Sequence, residues 1–388
     1  MEFQALREIY DRYRSEVEST CLEIHAHPEL SEEEFRACKI QMALLEGWGF
    51  SVEGNYKGLP TAFAATHGEG HPHICIMSEY DALPGMGHGC GHNLIAGTAL
   101  ATGIILKTLM EEKNIPGRLT VMGTPAEEKR GCKVDLIQAG ALEDVDLVLM
   151  AHPSDHPTAQ STGSSGIMQF EVHFTGRESH AADAPEQGLN ALDAVRLLFN
   201  GVDCWRQQLP ETCRIHGIIS QGGQAPNIIP GKGVADFYLR SFEMDYLESM
   251  AHRFKNMARG AALMTDTQVE VRPIPHTYKP TRSFDTLNQT FMDLARTLEM
   301  EPKWMEPGRG SSDFGDVTHE VPGAHVYFNI TQGDPQIVLH SKEFTQCAAT
   351  PFALTQMEKM GLILARMGHR FFTDKDFQGQ VREDFHGK

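Results

Sequence analysis

Apolar and polar residues alternate with a helical period at the start of this 388-residue chain. About the first thirty-five residues carry apolar side chains on one helical face, at Leu6, Ile9, Tyr10, Tyr13 and Val17. This spacing is typical of an amphipathic helix, and the Glu- and Arg-rich stretch 31–46 continues the pattern. The pattern therefore predicts a helical N-terminal region.

From residue 73 the pattern changes to short, nearly continuous apolar strands separated by helical segments. Strands are predicted at 73–77, 118–123 and 145–150, and helices at 94–112 and 133–141. Apolar strands that alternate with helices are typical of an α/β sheet with both faces covered, so we predict a three-layer αβα domain. Ligands bind beyond the carboxyl ends of the strands in such sheets, and all three predicted strands end in ionisable residues.

Between residue 166 and about residue 275, apolar residues alternate with polar ones instead. The predicted elements, in order, are a strand at 168–174, a helix at 190–209, strands at 214–220 and 233–241, a helix at 244–264 and a strand at 268–273. This β-α-β-β-α-β order is that of a ferredoxin-like α+β domain. We therefore predict that residues 166–277 form a domain inserted into the α/β domain, which comprises residues 1–165 and 278–388.

The charge and the apolar content of the chain argue against two classes of partner. The chain contains 34 Lys and Arg against 52 Asp and Glu, a formal net charge of −18. Because nucleic-acid recognition uses clustered Lys and Arg to displace counterions from phosphates, we expect no nucleic-acid partner. The longest uncharged apolar stretch, residues 93–106, is too short to cross a bilayer, so it predicts a buried helix and no membrane partner.

Two further patterns indicate the compartment. The N-terminal residues show no basic start followed by an apolar block, so we expect no secretory signal. Eight cysteines are scattered from Cys21 to Cys347 without a CxxC pair, in a chain large enough to fold without disulfides. Reduced thiols in a cytoplasmic protein are the simplest interpretation.

The densest group of chemically active residues is the glycine-rich run GMGHGCGHN at residues 85–93. Alternating glycines let the backbone turn tightly around whatever the neighbouring side chains approach. Cys90 and His92 can direct a thiolate and an imidazole at one metal ion. A glycine-rich turn with an incidental buried cysteine explains the same pattern, so the motif alone leaves the choice open.

A pair of adjacent carboxylates, Glu127 and Glu128, follows the second predicted strand of the α/β domain. At the interior end of a sheet two such groups repel each other and resist burial, so they require a cation or solvent. If a metal ion supplies the cation, one carboxylate can bind it while the other takes a proton from the attacking water. Taken alone, a Glu-Glu pair is more often a solvated surface pair.

The convergence of several donors favours the metal interpretation. Four candidate donors lie where neighbouring strands are expected to end, and a fifth lies near the C-terminus. They are Cys90, His92, Glu128, His152 and His340. Five ligands suit two metal ions that share one of them. Thiolate and imidazole ligands favour zinc, with manganese and cobalt as alternatives.

Three polar residues of the inserted domain are candidates for function. His180 follows a strand and leads into a polar loop, and Asn227 lies between two prolines in PNIIP. Arg240 lies on the face of its predicted strand that does not point to the core. From the pattern alone each is more often a surface residue, because most exposed polar residues have no partner.

A series of motifs resembles a known family in order and spacing. In chain order the motifs are SEYDALPGMGHGCGHN, GTPAEE, VDLVLMAHP, GRESHAA with GLNALDA, PNIIP, GSSDFGDV and HSKEF. The family is the dinuclear metallopeptidase family of aminoacylases, carnosinases and glutamate carboxypeptidases. The chain most resembles the branch of aminobenzoyl-glutamate hydrolases and of dipeptidases that act on β-alanyl-lysine or Xaa-Arg.

The resemblance implies roles for both domains and for several residues. The α/β domain would be catalytic, and the inserted domain would be a lid through which two subunits form a homodimer. Two divalent ions per subunit would be held by the five donors, with Cys90 as the bridge. The general base that activates water would be Glu127, and Asp81 would orient a metal ligand. His180 matches the lid histidine that stabilises the oxyanion in the partner subunit's site.

Other residues match positions that bind substrate in the family. Asn227 and Arg240 correspond to residues that hold the substrate's carbonyl or carboxylate, and an Arg fork suits two oxygens. The loop that lines the substrate pocket is matched by Gly310, Ser311 and Ser312.

Two positions depart from the family pattern. Better-known members have His where this chain has Glu79, so His92 is expected to replace that ligand. Many amidohydrolases of the branch have Asp where this chain has Asn93. The asparagine fits the dipeptidases and the aminobenzoyl-glutamate hydrolases of the branch.

From these features we expect a metal-dependent hydrolase that cleaves the amide bond of a dipeptide or N-acyl amino acid and releases a free amino acid. An aminobenzoyl-glutamate-type or N-acyl-amino-acid amidohydrolase is the alternative within this class, and the negative charge favours cationic substrates. Two alternatives belong to other classes. In one, Cys90 is a nucleophile with His92 as its base; in the other, the chain is a non-catalytic module that binds small peptides.

Overall fold

The computed structural model describes residues 2–275 and 277–387, and the chain divides into two compact units. The first unit contains the chain up to Gly163, the segment Arg282–Pro307 and the chain from Asp316 onward. The second contains Ser164–Thr281 and Gly308–Gly315. The segment Gly308–Gly315 lies far beyond the predicted insertion, and nothing in the hydrophobic pattern indicates that it belongs with the second unit.

The helices and strands are numbered in chain order. The strands are β1 (Ser51–Gly54), β2 (Phe63–Glu69), β3 (His73–Ser78), β4 (Gly117–Gly123), β5 (Leu147–Ser154), β6 (Gly166–Thr175), β7 (Arg214–Gln221), β8 (Lys232–Ser241), β9 (Gln268–Pro273) and β10 (Gly323–Asn329). The α-helices are α1 (Phe3–Ala26), α2 (Phe35–Gly47), α3 (His92–Lys113), α4 (Cys132–Gln138), α5 (Ala191–Arg206), α6 (Met244–Met264), α7 (Asp285–Thr297), α8 (Phe314–Glu320), α9 (Lys342–Cys347), α10 (Pro351–Thr373) and α11 (Lys375–Gly387).

The first unit is built on a six-stranded sheet of order β1-β2-β4-β3-β5-β10. Strands β4, β3, β5 and β10 run parallel, and β1 and β2 add an antiparallel edge. All six residues of β3 are buried, as expected for a strand covered on both faces. The predicted α/β class is confirmed, and the parallel strands bring their carboxyl ends to one edge of the sheet.

The long helices of this unit pack on one another and on the sheet. α3 packs against α1, α10 and the neighbouring strands β3 and β5, and its residues from His92 to Met110 are all buried. By length and composition α3 could cross a membrane, but its most apolar window is wholly buried inside the protein. The predicted buried helix at 93–106 is therefore confirmed as part of the core.

The N-terminal region departs from the predicted continuous helical pattern. α1 ends at Ala26, and α2 begins only at Phe35. Pro28 explains the interruption, because proline disfavours helical backbone at the residue before it and cannot donate an amide hydrogen bond. The residues between the helices matter for function, since two of them, Ser31 and Glu34, have buried side chains.

Strand β5 is longer than predicted. It runs to Ser154 because β10, which the sequence pattern does not predict, pairs with it in parallel along this length. Tyr327 lies opposite His152, so this histidine is inside a strand and not in the loop after it. Strands β1 and β2 also escape the prediction, since β1 has only four residues and β2 is partly exposed.

The second unit is built on a four-stranded antiparallel sheet of order β7-β8-β6-β9. Helices α5 and α6 pack on each other and on the sheet, around a core that includes Phe170 and Phe237. The side chain of Asn190 caps α5 by accepting hydrogen bonds from two amides of the first turn. This strand order and connectivity confirm the predicted ferredoxin-like α+β fold.

The chain enters and leaves the second unit side by side. The Thr281 amide donates to the Ser164 carbonyl at 3.1 Å, and the two hydroxyl oxygens lie 2.6 Å apart. The Ser165 amide donates to the carbonyls of Gly308 and Gly310, at 3.2 and 3.1 Å. The bonds of Ser165 connect the segment Gly308–Gly315 to the start of the inserted chain.

Candidate metal centre

The predicted metal ligands all lie in the first unit, at the carboxyl edge of the parallel strands or in a late loop. Cys90 and His92 lie at the start of α3, after β3. Glu128 follows β4, and His152 is near the end of β5. His340 precedes α9, where its backbone amide donates to the Gly89 carbonyl at 3.0 Å and so ties this loop to the glycine-rich run.

Gly91 allows Cys90 and His92 to face the same point. Its φ of +73° is in the left-handed region that glycine adopts without strain. A Cβ atom at this position would lie 2.5 Å from Cγ of Pro153, a contact that real side chains do not make. The glycine therefore permits both the turn and the close approach of β5, which carries the next candidate ligand.

The candidate donor atoms lie close together. Cys90 Sγ is 3.5 Å from Nε2 of His152 and 3.4 Å from Nε2 of His340. Glu128 Oε1 is 3.8 Å from Nε2 of His92 and 3.9 Å from Nε2 of His340. Such separations fit pairs of ligands that each bind one ion at about 2.0 to 2.3 Å.

Three overlapping groups of donors have all their ligand atoms within 4.8 Å of one another. The groups are Cys90 with His92 and His152, Cys90 with Glu128 and His340, and His92 with Glu127 and Glu128. All five predicted ligands belong to them. Cys90, His92 and Glu128 each belong to two of the groups, and a ligand shared in this way can bridge two ions.

Two of the histidines are oriented by hydrogen bonds on the ring nitrogen that faces away from the cluster. Nδ1 of His92 donates to Oδ1 of Asp81 at 2.8 Å, and Nδ1 of His152 donates to the Pro153 carbonyl at 2.6 Å. Each bond leaves the Nε2 lone pair directed at the other donors. Asp81 thus accepts a hydrogen bond from a predicted metal ligand, and its orienting role stays a prediction.

The ionisation of these groups follows from their burial and contacts. Burial lowers the pKa of His152 to about 3, so the ring is neutral at neutral pH. Burial would raise the pKa of Asp81, but the hydrogen bonds that it accepts from His92, Ser31 and the Glu128 amide hold that pKa below its usual value. Burial raises the pKa of the Cys90 thiol, and only a cation would make it ionise there.

Two buried polar atoms test whether the site fits a metal. Nε2 of His92 and Oε1 of Glu128 are shielded from solvent and make no hydrogen bond within residues 2–275 and 277–387. Burying such atoms without a partner is unfavourable, so they are normally satisfied by hydrogen bonds or by an ion. A divalent cation would satisfy both atoms, and the donor set therefore fits a metal centre.

The two remaining carboxylates near the centre differ in environment. Glu127 is half-buried and belongs to the group with His92 and Glu128, but to neither of the groups that contain Cys90. Glu79, where the resemblance leads one to expect His, is buried and forms an ion pair with the buried Lys133. Its other oxygen is 3.6 Å from Nε2 of His92. Lys133 therefore compensates the negative charge of Glu79, the residue at which this chain differs from the family pattern.

In the second unit, the structure brings two predicted residues together. The Ala181 amide donates to the Asn227 carbonyl at 2.9 Å, which places the loops of His180 and Asn227 side by side. The exposed His180 accepts the amides of Ala182 and Asp183 on Nδ1, at 3.3 and 3.0 Å. Its proton therefore resides on Nε2, the tautomer that an oxyanion donor needs.

Arg240 also has a defined place in the second unit. It lies on the face of β8 opposite the buried Phe237 and Leu239, as predicted, and its Nη1 donates to Oγ of Ser311 at 2.8 Å. Gly310 and Ser312 flank that serine, so the predicted pocket loop adjoins the predicted carboxylate-binding residue. Burial lowers the pKa of Arg240, and a bound carboxylate would compensate the half-buried charge.

Several residues at the centre are not visible from sequence reasoning. Ser31 donates to Oδ2 of Asp81 at 2.7 Å, from a segment where the sequence pattern predicts helix. The rings of His325 and Tyr327 lie 5.6 and 6.0 Å from that of His152. These two are alternate residues of β10, so the period-two pattern of GAHVYFN is the signal that could reveal them.

Comparison with known proteins agrees with this geometry. Residues 75–359 match the model of the family described as "Peptidase family M20/M25/M40". The human Xaa-Arg dipeptidase is 34% identical over 386 residues, which cover 93% of this chain and 87% of that protein. One of the p-aminobenzoyl-glutamate hydrolase subunits of Escherichia coli (strain K12) is 34% identical over 268 residues, 64% of this chain and 56% of that protein.

Solved structures share the fold at lower identity. A putative aminohydrolase from methicillin resistant Staphylococcus aureus has a TM-score of 0.77 at 21% identity and covers 94% of this chain and 99% of that one. The Bacillus subtilis YXEP protein, a dinuclear metal binding peptidase, has a TM-score of 0.68 at 18% identity over 92% and 99% of the two chains. The match over residues 75–359 and the identity to the human relative confirm the predicted resemblance and the class of metal-dependent hydrolase. The chain belongs to peptidase family M20/M25/M40.

Proposed function

We propose that this protein is a cytoplasmic dipeptidase that uses two divalent ions, zinc in the native state, to release the C-terminal residue of a dipeptide. The observation that carries the proposal is the cluster of overlapping donor groups with Glu127 beside them. A site that only bound peptides would not need this carboxylate next to two ligands. The preferred dipeptides would end in Arg or Lys.

The chain's own residues divide the work of amide hydrolysis. Divalent ions, when bound, polarise the amide carbonyl and make the attacking water more acidic. Glu127 accepts a proton from that water and later delivers it to the leaving amine. In the proposed homodimer His180, protonated on Nε2, donates a hydrogen bond to the oxygen on which negative charge develops in the partner subunit's site. Arg240 and Asn227 hold the free carboxylate and the carbonyl of the substrate.

The substrate preference and the alternative come from the relatives. The Xaa-Arg dipeptidases of human and mouse are 34% and 36% identical to this chain, and the net charge of −18 favours cationic substrates through electrostatic steering. Hydrolysis of p-aminobenzoyl-glutamate is the second candidate, because the Escherichia coli relative is 34% identical over a shorter part of the chain. Zinc is preferred because thiolate and imidazole are ligands that bind it well.

The proposed compartment rests on the cysteines, and the proposed assembly rests on an exposed strand. All eight cysteines are free thiols in the structure, as expected in a reducing compartment such as the cytoplasm. Strand β7 is at the edge of the second unit's sheet, with the apolar side chains of Ile218 and Ile219 at 64% and 45% exposure. An exposed apolar edge strand is a favourable surface for pairing with another chain. A homodimer formed through this unit would cover it.

A substrate panel tests the proposed function. The protein is stripped of metal by chelation, reloaded separately with zinc, manganese or cobalt, and assayed on dipeptides ending in Arg, Lys, Glu or Leu. The same panel includes p-aminobenzoyl-glutamate and N-acetyl amino acids. We expect activity to vanish on chelation, to return with metal and to be highest for Xaa-Arg or Xaa-Lys. Full activity in the chelated protein would contradict the proposal.

The same preparations distinguish the thiol mechanism. If Cys90 binds metal, chelation abolishes the activity, return of zinc restores it, and iodoacetamide does not inactivate the zinc-loaded protein. If Cys90 is instead a nucleophile with His92 as its base, iodoacetamide abolishes activity in the presence of the metal and chelation leaves the activity intact.

Arg240→Met tests how the substrate is held. Loss of a charge-assisted hydrogen bond to the substrate carboxylate is expected to raise KM for a dipeptide by about 10- to 100-fold. For the corresponding dipeptide amide, which lacks the carboxylate, the variant and the wild type should have similar KM values. Arg214→Met is the matched control, because Arg214 lies opposite Arg240 on β7 and is exposed. Equal KM increases for acid and amide would contradict the assignment.

A further inference from the structure

The turn that carries Glu127 and Glu128 has an unusual backbone. Ala126, the residue before the pair, has a φ of +59°, in the left-handed region that non-glycine residues avoid. It is only 1% exposed. Its carbonyl accepts the amides of Arg130 and Gly131 at 3.0 and 2.7 Å, so the reversal is a closed turn. Strained backbone of this kind persists where surrounding contacts enforce it, and it is frequent at functional sites.

Two buried carboxylates hold the amides on either side of Glu127. The Ala126 amide donates to Oε1 of Glu34 at 2.8 Å, and the Glu128 amide donates to Oδ2 of Asp81 at 3.0 Å. Asp81 and Glu34 are 1% and 0% exposed. The proposed general base is therefore fixed through its two neighbours, one of which is a candidate metal ligand.

Glu34 does not have the features of an ordinary structural carboxylate. It immediately precedes α2, yet its side chain makes no capping hydrogen bond to that helix. Glu29 does so instead, accepting the amides of Arg36 and Ala37 at 3.0 and 2.9 Å. Glu34 forms no salt bridge among the residues that the structure describes, and its Oε2 has no hydrogen-bond partner there. Burial raises its pKa to about 7.

Burying the Glu34 carboxyl group without an ion pair costs free energy of folding, which indicates that the group has a specific role where it lies. An unpaired buried carboxyl group is unfavourable to folding, and no ion pair compensates it within the described chain. A hydrogen bond to its Oε1 reaches across 92 positions to the amide of Ala126 in the strained turn. Ser31, three residues earlier, supports Asp81 on the other side of the same turn. The chain between α1 and α2 therefore braces both ends of the segment that presents Glu127.

We propose that Glu34 is a positioning residue for catalysis: by accepting the Ala126 amide it keeps the left-handed turn in place, and the turn holds the Glu127 carboxylate beside the metal ligands. The inference rests on the proposed role of Glu127 as general base. It requires a hydrogen-bond acceptor at residue 34, not a negative charge. A displacement of the base by about 1 Å is enough to reduce turnover by about 100-fold.

Three substitutions test the inference in the metal-loaded 388-residue protein. Glu34→Met removes the acceptor and preserves the approximate volume, and Glu34→Gln keeps a carbonyl oxygen as acceptor. We expect Glu34→Met to lower kcat by about 100-fold with KM and bound metal near the wild-type values, and Glu34→Gln to retain most of kcat. Glu33→Met is the matched control, because Glu33 is the exposed neighbour, and it should behave as the wild type.

A second comparison isolates the turn. Glycine adopts positive φ without the strain of alanine, so Ala126→Gly added to Glu34→Met is expected to recover part of the lost kcat. Hydrogen exchange provides a readout independent of activity, since the amides of residues 124–131 should exchange faster in Glu34→Met and not in Glu34→Gln. If Glu34→Met does not fold, Glu34→Asp replaces it, because a side chain one methylene shorter withdraws the acceptor and should also lower kcat.

The contrary outcomes are distinct. An unchanged kcat in Glu34→Met, an equal loss in Glu34→Gln, no recovery with Ala126→Gly, or a loss of kcat matched by loss of bound metal would each overturn the positioning role. A wild type that hydrolyses no compound of the panel overturns the proposed function and this inference with it. If the wild type is active and substitutions of Glu34 leave kcat unchanged, the inference is overturned and the proposed function is not.

Discussion

Glu127→Gln is expected to lower kcat by about 10²- to 10⁴-fold while leaving the bound metal in place. The amide has nearly the same volume as the carboxylate but cannot accept a proton from water or deliver one to the leaving amine. Glu127 lies outside the donor groups that contain Cys90, so its replacement removes a base and not one of the five proposed ligands. The effect should therefore fall on kcat, with little change in KM.

The measurement is steady-state hydrolysis of the best dipeptide by the zinc-loaded protein, with metal content determined on the same sample. Glu143→Gln is a suitable control, because it makes the same chemical change at an exposed position. The pH profile adds a test, since the acidic limb of kcat/KM reports a group that must be deprotonated. Retention of wild-type kcat in Glu127→Gln would exclude it as the base.

Cys90→Ala is expected to have the second large effect, the loss of tightly bound metal together with nearly all activity. Cys90 belongs to two of the donor groups, so its removal weakens both of them at once. Substitutions that only disturb the partners of metal ligands reduce affinity by about 10- to 100-fold, and loss of a shared ligand should exceed that. The buried thiol ionises only with a cation beside it, so metal affinity should also fall as the pH is lowered.

Metal content after dialysis and competition with a chelating indicator measure this effect directly. Cys204→Ala is the matched control, because Cys204 is exposed and far from the donors in sequence. We expect it to keep the metal and the activity of the wild type. If Cys90→Ala retained two ions per subunit with unchanged affinity, the bridging role would be wrong.

Much of the fold is predictable because its elements carry strong local signals. The bounds of α6 and β9 agree with the hydrophobic pattern at both ends, and the inserted unit has the predicted order of strands and helices. The donors cluster as expected because parallel strands end at a common edge, a consequence of the fold class alone. The cluster could therefore be anticipated before any distance was known, although the roles of its members remain predictions.

The features that escape prediction depend on long-range contacts. Glu34 resembles any other carboxylate in an acidic run, and only the folded chain brings it to the amide of Ala126. Likewise, the length of β5 is fixed by β10, which lies far along the chain. The segment Gly308–Gly315 joins the second unit through hydrogen bonds to Ser165. None of these pairings has a local signature, so periodicity cannot reveal them.

The paired entry and exit of the inserted chain have a practical consequence. Since the Ser164 and Thr281 backbones are already hydrogen-bonded, a short linker could join their neighbours, and domain insertions are tolerated at such sites. The inserted chain Ser164–Thr281 could thus be removed, or exchanged as a unit between related hydrolases. The exchanged chain would contain Arg240 but not Ser311, so the loop of the host protein must supply that serine. Engineering of substrate preference would therefore require the two segments to be moved as a matched pair.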